Sequence, residues 1–337
     1  MGRSVLQSRR QILEAKKIFD YKVDDNMALF VLIKGADVRI AKNGKKFIAF
    51  TFADRSGEIS AKFWDASEED ISQFQAGRVV ALQGKRENYQ QNPQIKIFKM
   101  RLANENEPAD PQLYLQSAPE STQDMEKEVD EVIFEITNPT WNRIVRYLLK
   151  KYHDEFFSFP AAKKNHHDFA GGLAFHTLSI LRLAHSVVKE YPDINASLLY
   201  AGAILHDLGK TLELSGPVAT VYTVPGNLLG HIVLIDEEIA NACDKLGIDK
   251  MSEDAVLLRH MIISHHGLLE YGSPVQPHLM EAEILHHLDD LDASIQMMRK
   301  ALEHTEPGDY TERVFGMDRR NFYRPQEKGQ SQPGSEF

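Results

Sequence analysis

The run AGAILHDLGKT places His206 and Asp207 side by side at the end of an apolar stretch, with Lys210 three residues further on. Imidazole nitrogen and carboxylate oxygen both bind divalent cations, but two adjacent residues do not fill a coordination shell. The other ligands must come from elsewhere in the chain. The sequence offers them in order: His176 in GGLAFHTLSI, His231 after Gly230 in LLGHI, His265 and His266 closing MIISHHG, and Asp289 in ILHHLDDLDA. All 14 histidines lie between His153 and His304, so imidazole is concentrated in one part of the chain. If the run around His206 is helical, Lys210 shares its face one turn on, where an ammonium can bind a phosphate oxygen.

These residues need a scaffold, and the chain changes character along its length. The 337 residues, 42% of them hydrophobic, suffice for two ordinary domains. Residues 1–100 carry a net charge of +6 and the rest −16, which suits a polyanion-binding front part and a cation-collecting back part. No run approaches the roughly 18 apolar residues of a membrane span. MGRSVLQSRR lacks the apolar core of a signal peptide. Cys243 is the only cysteine, which excludes an internal disulfide framework and fits a reducing, cytoplasmic setting.

Residues 1–20 read as a basic arm, either a short helix or a loose segment. From Met27, ALFVLIKGADVRI, FIAFTF, ISAKFW, GRVVALQGKRENY and PQIKIFKMRL are strand-like, with turns at KNGKK and DRSGE and a short helix at SEEDISQF. Ile48, Phe50 and Phe52, with Ile59, Ala61 and Phe63, form the expected core set. Five short strands at this spacing predict a small β-barrel over 21–105. Residues 106–135 predict a linker or a wrapped surface segment, because ANENEPADPQLYLQSAPESTQD is rich in Pro, Glu, Asn and Ser. The second domain is expected over 136–325, with helical periodicity to about residue 303, opening with Asn138 as N-cap and Pro139 in the first turn. Further helices are expected at 173–190, 195–209, 228–246, 252–264 and 279–303, and a disordered polar tail at 326–337. The fold class is a multidomain α and β protein: a five-stranded barrel, then an all-α bundle.

The order H…HD…H…HH…D, with its flanks GGLxxHT, HDxGK, GH and HHxxDxLDA, resembles the HD-domain metal-dependent phosphohydrolases. The resemblance implies that His176, His206, Asp207 and Asp289 hold one metal; Asp290 and Asp292, in the same run as Asp289, are further residues able to contact the site. Asp207 would bridge to a second metal, held by His231, His265 and His266. Two divalent ions so bridged stand about 3.5–4 Å apart, generate a hydroxide near neutral pH and offset phosphodiester charge. Manganese is the expected ion; iron, cobalt and zinc suit the same mixed ligands. Asp207 and Lys210 would be the catalytic pair, with Gly209 leaving room for substrate or ending a helix. Lys163, His166 and His167, in the polar loop AAKKNHHDFAGG, would reach the substrate phosphate.

The front part, KNGKKFIAFTFADRSGEISAKFWD, resembles the OB-fold of the anticodon-binding type. Such barrels stack bases on exposed aromatics and follow phosphates with Lys and Arg. Phe47, Lys62 and Trp64 lie opposite the core set; Lys45, Lys46, Arg86 and Tyr89 would extend that surface. SGEISAKFWDAS, GGLAFHT, HDLGKT, GHI, SHHG and FGMDRRNFYRP together resemble the YhaM family of bacterial 3′-5′ exoribonucleases over about residues 20–325. That likeness implies metal-dependent release of nucleoside 5′-monophosphates from single-stranded RNA, with single-stranded DNA and a homo-oligomer left open. Two alternatives stand beside it: an HD phosphohydrolase of small nucleotides or cyclic dinucleotides, and a non-catalytic single-strand-binding protein.

Overall fold

The structure, a computed structural model, describes residues 15–89, 92–163, 167–303 and 305–326. The first fourteen residues of the expected arm, His166, and nearly all of the expected tail lie outside these. The chain divides into two compact units, residues 1–119 with 214–223, and residues 120–213 with 224–337.

The first unit is a closed barrel of β1 (Asn26–Ile40), β2 (Lys46–Asp54), β3 (Gly57–Trp64), β4 (Val79–Tyr89) and β5 (Asn92–Leu102). The spatial order is β1-β2-β3-β5-β4. All pairs are antiparallel except β3 with β5, where Ser60 and Ala61 face Gln94 and Ile95. Period-two alternation sends Ile48, Phe50, Phe52, Ile59 and Ala61 inward as expected, joined by Val31, Val80, Leu82 and Ile95. Phe63 packs against this core while remaining partly exposed. The short helix α1 (Glu68–Gln73) is capped by Ser67, whose hydroxyl accepts from Asp70 N. Residues 15–20 are not a loose arm. Ile18 is fully buried in the barrel core, and its amide donates to Asp54 Oδ2 at 2.6 Å.

The segment expected to be a linker is largely ordered structure. Pro111–Tyr114 form a 3-10 turn, with Leu113 and Tyr114 buried. α2 (Thr122–Glu135) follows, with Ser121 as its N-cap. Met125, Val129, Val132 and Ile133 recur at helical spacing and are buried, an apolar face that the polar composition concealed.

The rest of the second unit is helical: α3 (Pro139–Lys151), α4 (His153–Ser158), α5 (Gly172–Glu190), α6 (Ala196–Leu205), α7 (Lys210–Glu213), α8 (Val224–Leu246), α9 (Glu253–Ser264) and α10 (Met280–Glu303). Asn138 caps α3, its Oδ1 accepting from Thr140 N and Trp141 N. α6 is buried along nearly its whole length and packs against α3, α5, α9 and α10. It ends at Leu205, and His206 to Gly209 form a turn where a longer helix was expected. α8 starts earlier than expected and breaks at Gly230, whose φ of 75° is readily adopted only without a side chain. No described helix is long and apolar enough to cross a membrane.

Candidate metal centre

The predicted ligands come from five different helices and meet at one place. His176 sits in the second turn of α5, and His206 and Asp207 leave the C-terminal end of α6. His231 follows the Gly230 break, His265 and His266 follow the last residue of α9, and Asp289 lies midway along α10. Helix ends serve here because a terminus lets the side chain depart from the packed stripe. Close approach is enforced by Gly209. A Cβ there would lie 2.2 Å from the His231 carbonyl oxygen, so Gly209 brings the His206–Asp207 turn against α8. This packing role replaces the expected one of leaving room for substrate.

Two groups of ligand atoms share Asp207. In one, His176 Nε2 lies 3.5 Å from Asp207 Oδ2, 3.1 Å from Asp289 Oδ1 and 3.4 Å from His206 Nε2. His206 Nε2 lies 3.4 Å from Asp207 Oδ2. In the other, Asp207 Oδ1 lies 3.4 Å from His231 Nε2 and 3.9 Å from His265 Nε2. His231, His265 and His266 each bring a nitrogen within 4.8 Å of the other two. Ligands about 2.0–2.2 Å from one ion stand roughly 3–4 Å from each other, the spacing found here. Among the described residues, Asp207 Oδ1, His231 Nε2 and His265 Nε2 are buried with no hydrogen-bond partner. Leaving three polar atoms unsatisfied is costly, and a cation between them removes the cost. The residues therefore fit one or two divalent ions.

The outward nitrogens fix which ring atom is free. Nδ1 of His206 meets Ala203 O at 2.8 Å, that of His265 meets Ile262 O at 2.6 Å, and that of His266 meets Tyr271 O at 2.6 Å. A carbonyl only accepts, so each Nδ1 carries the proton and Nε2 keeps its lone pair. His176 Nδ1 donates to Asp292 Oδ2 at 2.7 Å, and His231 Nδ1 pairs with Glu213 Oε1 at 3.2 Å.

The electrostatics divide the cluster. Burial, with the neighbouring rings, holds His265 and His266 below the ordinary histidine value, so both stay neutral. Burial also opposes charge on His176, but Asp289 and Asp292 outweigh it and raise the ring to about 9. Asp207 is held well below the usual carboxylate range: burial works the other way and is overcome by Lys210 and His206. Lys210 is only 12% exposed, and its ammonium donates to Asp207 Oδ2 at 2.6 Å.

Several site expectations change in this setting. His167 is not a solvated phosphate-binding residue. It is 2% exposed, and its Nε2 meets Asp292 Oδ2 at 2.7 Å, behind His176. Lys163, four residues before His167, is half-buried. Asp292 and Glu213 are the supporting carboxylates. Glu213 had one signal in sequence, a spacing of three from Lys210 that puts it on the same helical side; Asp292 had the same spacing from Asp289.

On the barrel, Phe47 and Trp64 are register partners, and their rings lie 4.8 Å apart. Trp64 is 57% exposed, and Lys62 Nζ lies 5.6 Å from both the Trp64 and Tyr89 rings. Lys45 and Lys46 pair with Asp65 and Glu68 at the edge of this patch. Arg86 does not join it: its guanidinium stacks on Phe19 at 4.8 Å and donates to Tyr21 O.

A five-stranded OB barrel followed by a helical unit with a His/Asp cluster defines an OB-fold protein with an HD domain. Comparison with known families agrees. Residues 31–103 match the OB-fold nucleic acid binding domain, and residues 173–294 match the HD domain. The chain is 47% identical over 310 residues to the 3′-5′ exoribonuclease YhaM of Listeria monocytogenes serotype 4b (strain CLIP80459), covering 92% of this chain and 98% of that one. The same figures hold for the 3′-5′ exoribonuclease YhaM of Listeria innocua serovar 6a. A solved structure, the second OB-fold domain of replication protein A from Methanococcus maripaludis, aligns with 27% of this chain and 95% of its own at 15% identity and a TM-score of 0.22. The chain belongs to the YhaM family of 3′-5′ exoribonucleases, a family of enzymes with an HD hydrolase domain.

Proposed function

We propose that this protein is a metal-dependent 3′-5′ exoribonuclease that removes nucleoside 5′-monophosphates from single-stranded RNA. The observation that carries the reading is the sharing of Asp207. Its two oxygens face separate groups of buried nitrogens, the arrangement a two-ion phosphodiesterase requires. His176, His206, Asp207 and Asp289 would hold one ion, and Asp207, His231, His265 and His266 a second. Divalent ions supply acidification of water to hydroxide and neutralisation of phosphate charge; manganese suits the mixed nitrogen and oxygen ligands.

The chain's own residues have distinct tasks. Asp207 joins the two groups, and Lys210 anchors Asp207 and presents positive charge for a substrate phosphate. Lys163, at the edge of the loop before His176, and His166 in that loop are further candidates for phosphate contact. Phe47, Lys62 and Trp64 offer stacking surface and charge to a single strand. Stacking tolerates any base and either sugar, so single-stranded DNA is a second substrate to test.

A 5′-labelled single-stranded RNA incubated with manganese tests the reading. Wild type should give a ladder shortening from the 3′ end, absent with Asp207→Ala. Intact RNA with wild type across manganese, cobalt, iron and zinc would sink it, and so would shortening that survives Asp207→Ala.

A further inference from the structure

The outer wall of the barrel carries a hollow on β1, β4 and β5, away from the Phe47–Trp64 pair on β2 and β3. Its volume is about 520 Å³, within the roughly 300–1,000 Å³ of small-molecule sites. The strand register creates it. Phe30 faces Ala81, and Ala81 faces Arg101; on the next outward row Ala28 faces Gln83, and Gln83 faces Lys99. Two alanines thus stand among long side chains, and the surface sinks where they lie. Residues 15–21 bound it on one side, and Pro108, Leu113 and Tyr114 bound another.

The lining combines flat apolar surface with unbalanced charge. Phe30, Tyr21 and Tyr114 contribute rings, and Gln83 an amide. Among the described residues of the lining Asp54 is the one carboxylate, and it is already engaged by Ile18 N, Ser56 N and Ser56 Oγ. Arg101 is offset by Glu107, which takes it at 2.7 and 2.6 Å. Among the described residues, Arg55 engages Leu113 O through Nε at 3.0 Å, which leaves its terminal nitrogens. Lys16, Lys17 and Lys99 complete the cationic set. Rings and an amide suit a nucleobase, and clustered cations suit a phosphate.

We infer that this hollow is a binding site for a mononucleotide, separate from the metal centre and from the stacking face. The inference stands on the barrel alone and does not depend on the nuclease reading.

Isothermal titration of the full-length, EDTA-treated protein tests it, with AMP as probe and adenosine and inorganic phosphate as separate titrants. AMP should bind more tightly than either fragment. Lys99→Glu should weaken AMP about tenfold, the scale of one charge-assisted contact. Ala81→Trp, which fills the hollow, should abolish binding, and Trp64→Ala should leave it unchanged. Lys99→Glu changes an exposed side chain, so its result stands if Ala81→Trp fails to fold. The inference is overturned if AMP does not bind, or if Lys99→Glu leaves AMP affinity unchanged. It is equally overturned if Lys99→Glu weakens a single-stranded oligoribonucleotide but not AMP, because the hollow then belongs to the strand track.

Discussion

His176 Nδ1 donates to Asp292 Oδ2 at 2.7 Å, so the ring that faces Asp207 and Asp289 is held from behind by a third carboxylate. The same oxygen meets His167 Nε2, also at 2.7 Å. A proposed metal ligand is thereby tied to the loop before α5 through one buried oxygen. Such outer partners orient the ring and raise its basicity. Asp292→Ala should weaken manganese binding about 10–100-fold, read by titration of metal-free protein. Asp292→Asn should recover part of that loss, because its amide oxygen still accepts. Equal losses in both variants would mean that charge, and not orientation, is what Asp292 supplies.

Metal uptake should release a proton. In the metal-free protein His176 is raised to about 9 by Asp289 and Asp292 against the effect of burial, so the ring is protonated at pH 7. A cation needs the Nε2 lone pair and must displace that proton. Manganese titrations at pH 7 in buffers of different ionisation enthalpy should therefore differ, and the difference should vanish above about pH 9. Apparent affinity should climb with pH over the same range. The linkage also acts on the metal-free fold: the raised pKa stabilises fully below the ordinary value of 6.5, and that contribution is lost as pH rises through about 9. Buffer-independent heats at pH 7 would contradict this protonation state.

The number of ions is open to direct count. If Asp207 serves two groups, elemental analysis of manganese-loaded wild type should find two ions per chain and His265→Ala close to one. A single ion in both would reduce the second group to a structural cluster. His265 is neutral through burial, so its removal does not change the charge of the site.

Gly209→Ala places a methyl group 2.2 Å from the His231 carbonyl oxygen, a backbone atom that gives way only if α8 moves. A cost of about 1–3 kcal/mol is expected for such overpacking, seen as a lower Tm, with manganese binding weakened because His231 moves with α8. Unchanged stability would mean that the turn and α8 separate easily.

On the barrel, Trp64→Ala removes the exposed half of the Phe47–Trp64 pair. A base stacked on an aromatic contributes roughly 1–3 kcal/mol, so affinity for a single-stranded oligoribonucleotide should fall about tenfold or more. Full affinity in Trp64→Ala would place the strand elsewhere.

The sequence by itself determined the class of each unit and the identity of the proposed ligands. Alternation of Ile48, Phe50 and Phe52 with outward residues is a property of a pleated strand, and the Asn138–Pro139 start is a property of a helix terminus; both are local. The ligand order from His176 to Asp289 is likewise written along the chain, in the motifs that resemble the HD-domain pattern. The tertiary structure decided what local pattern cannot contain. A linker-like composition hid α2, because four apolar residues at helical spacing matter only once there is a surface to bury them on. His167 stood in a polar loop, yet it is buried against Asp292, a partner 125 residues away. Glu213 and Asp292 acquire their roles only when packed helices bring them to Nδ1 of His231 and His176. Lys210, read from sequence as a phosphate contact, also donates to Asp207. In each case the deciding quantity is a distance between residues far apart in sequence, set by the burial of apolar faces and not by the residues at the site.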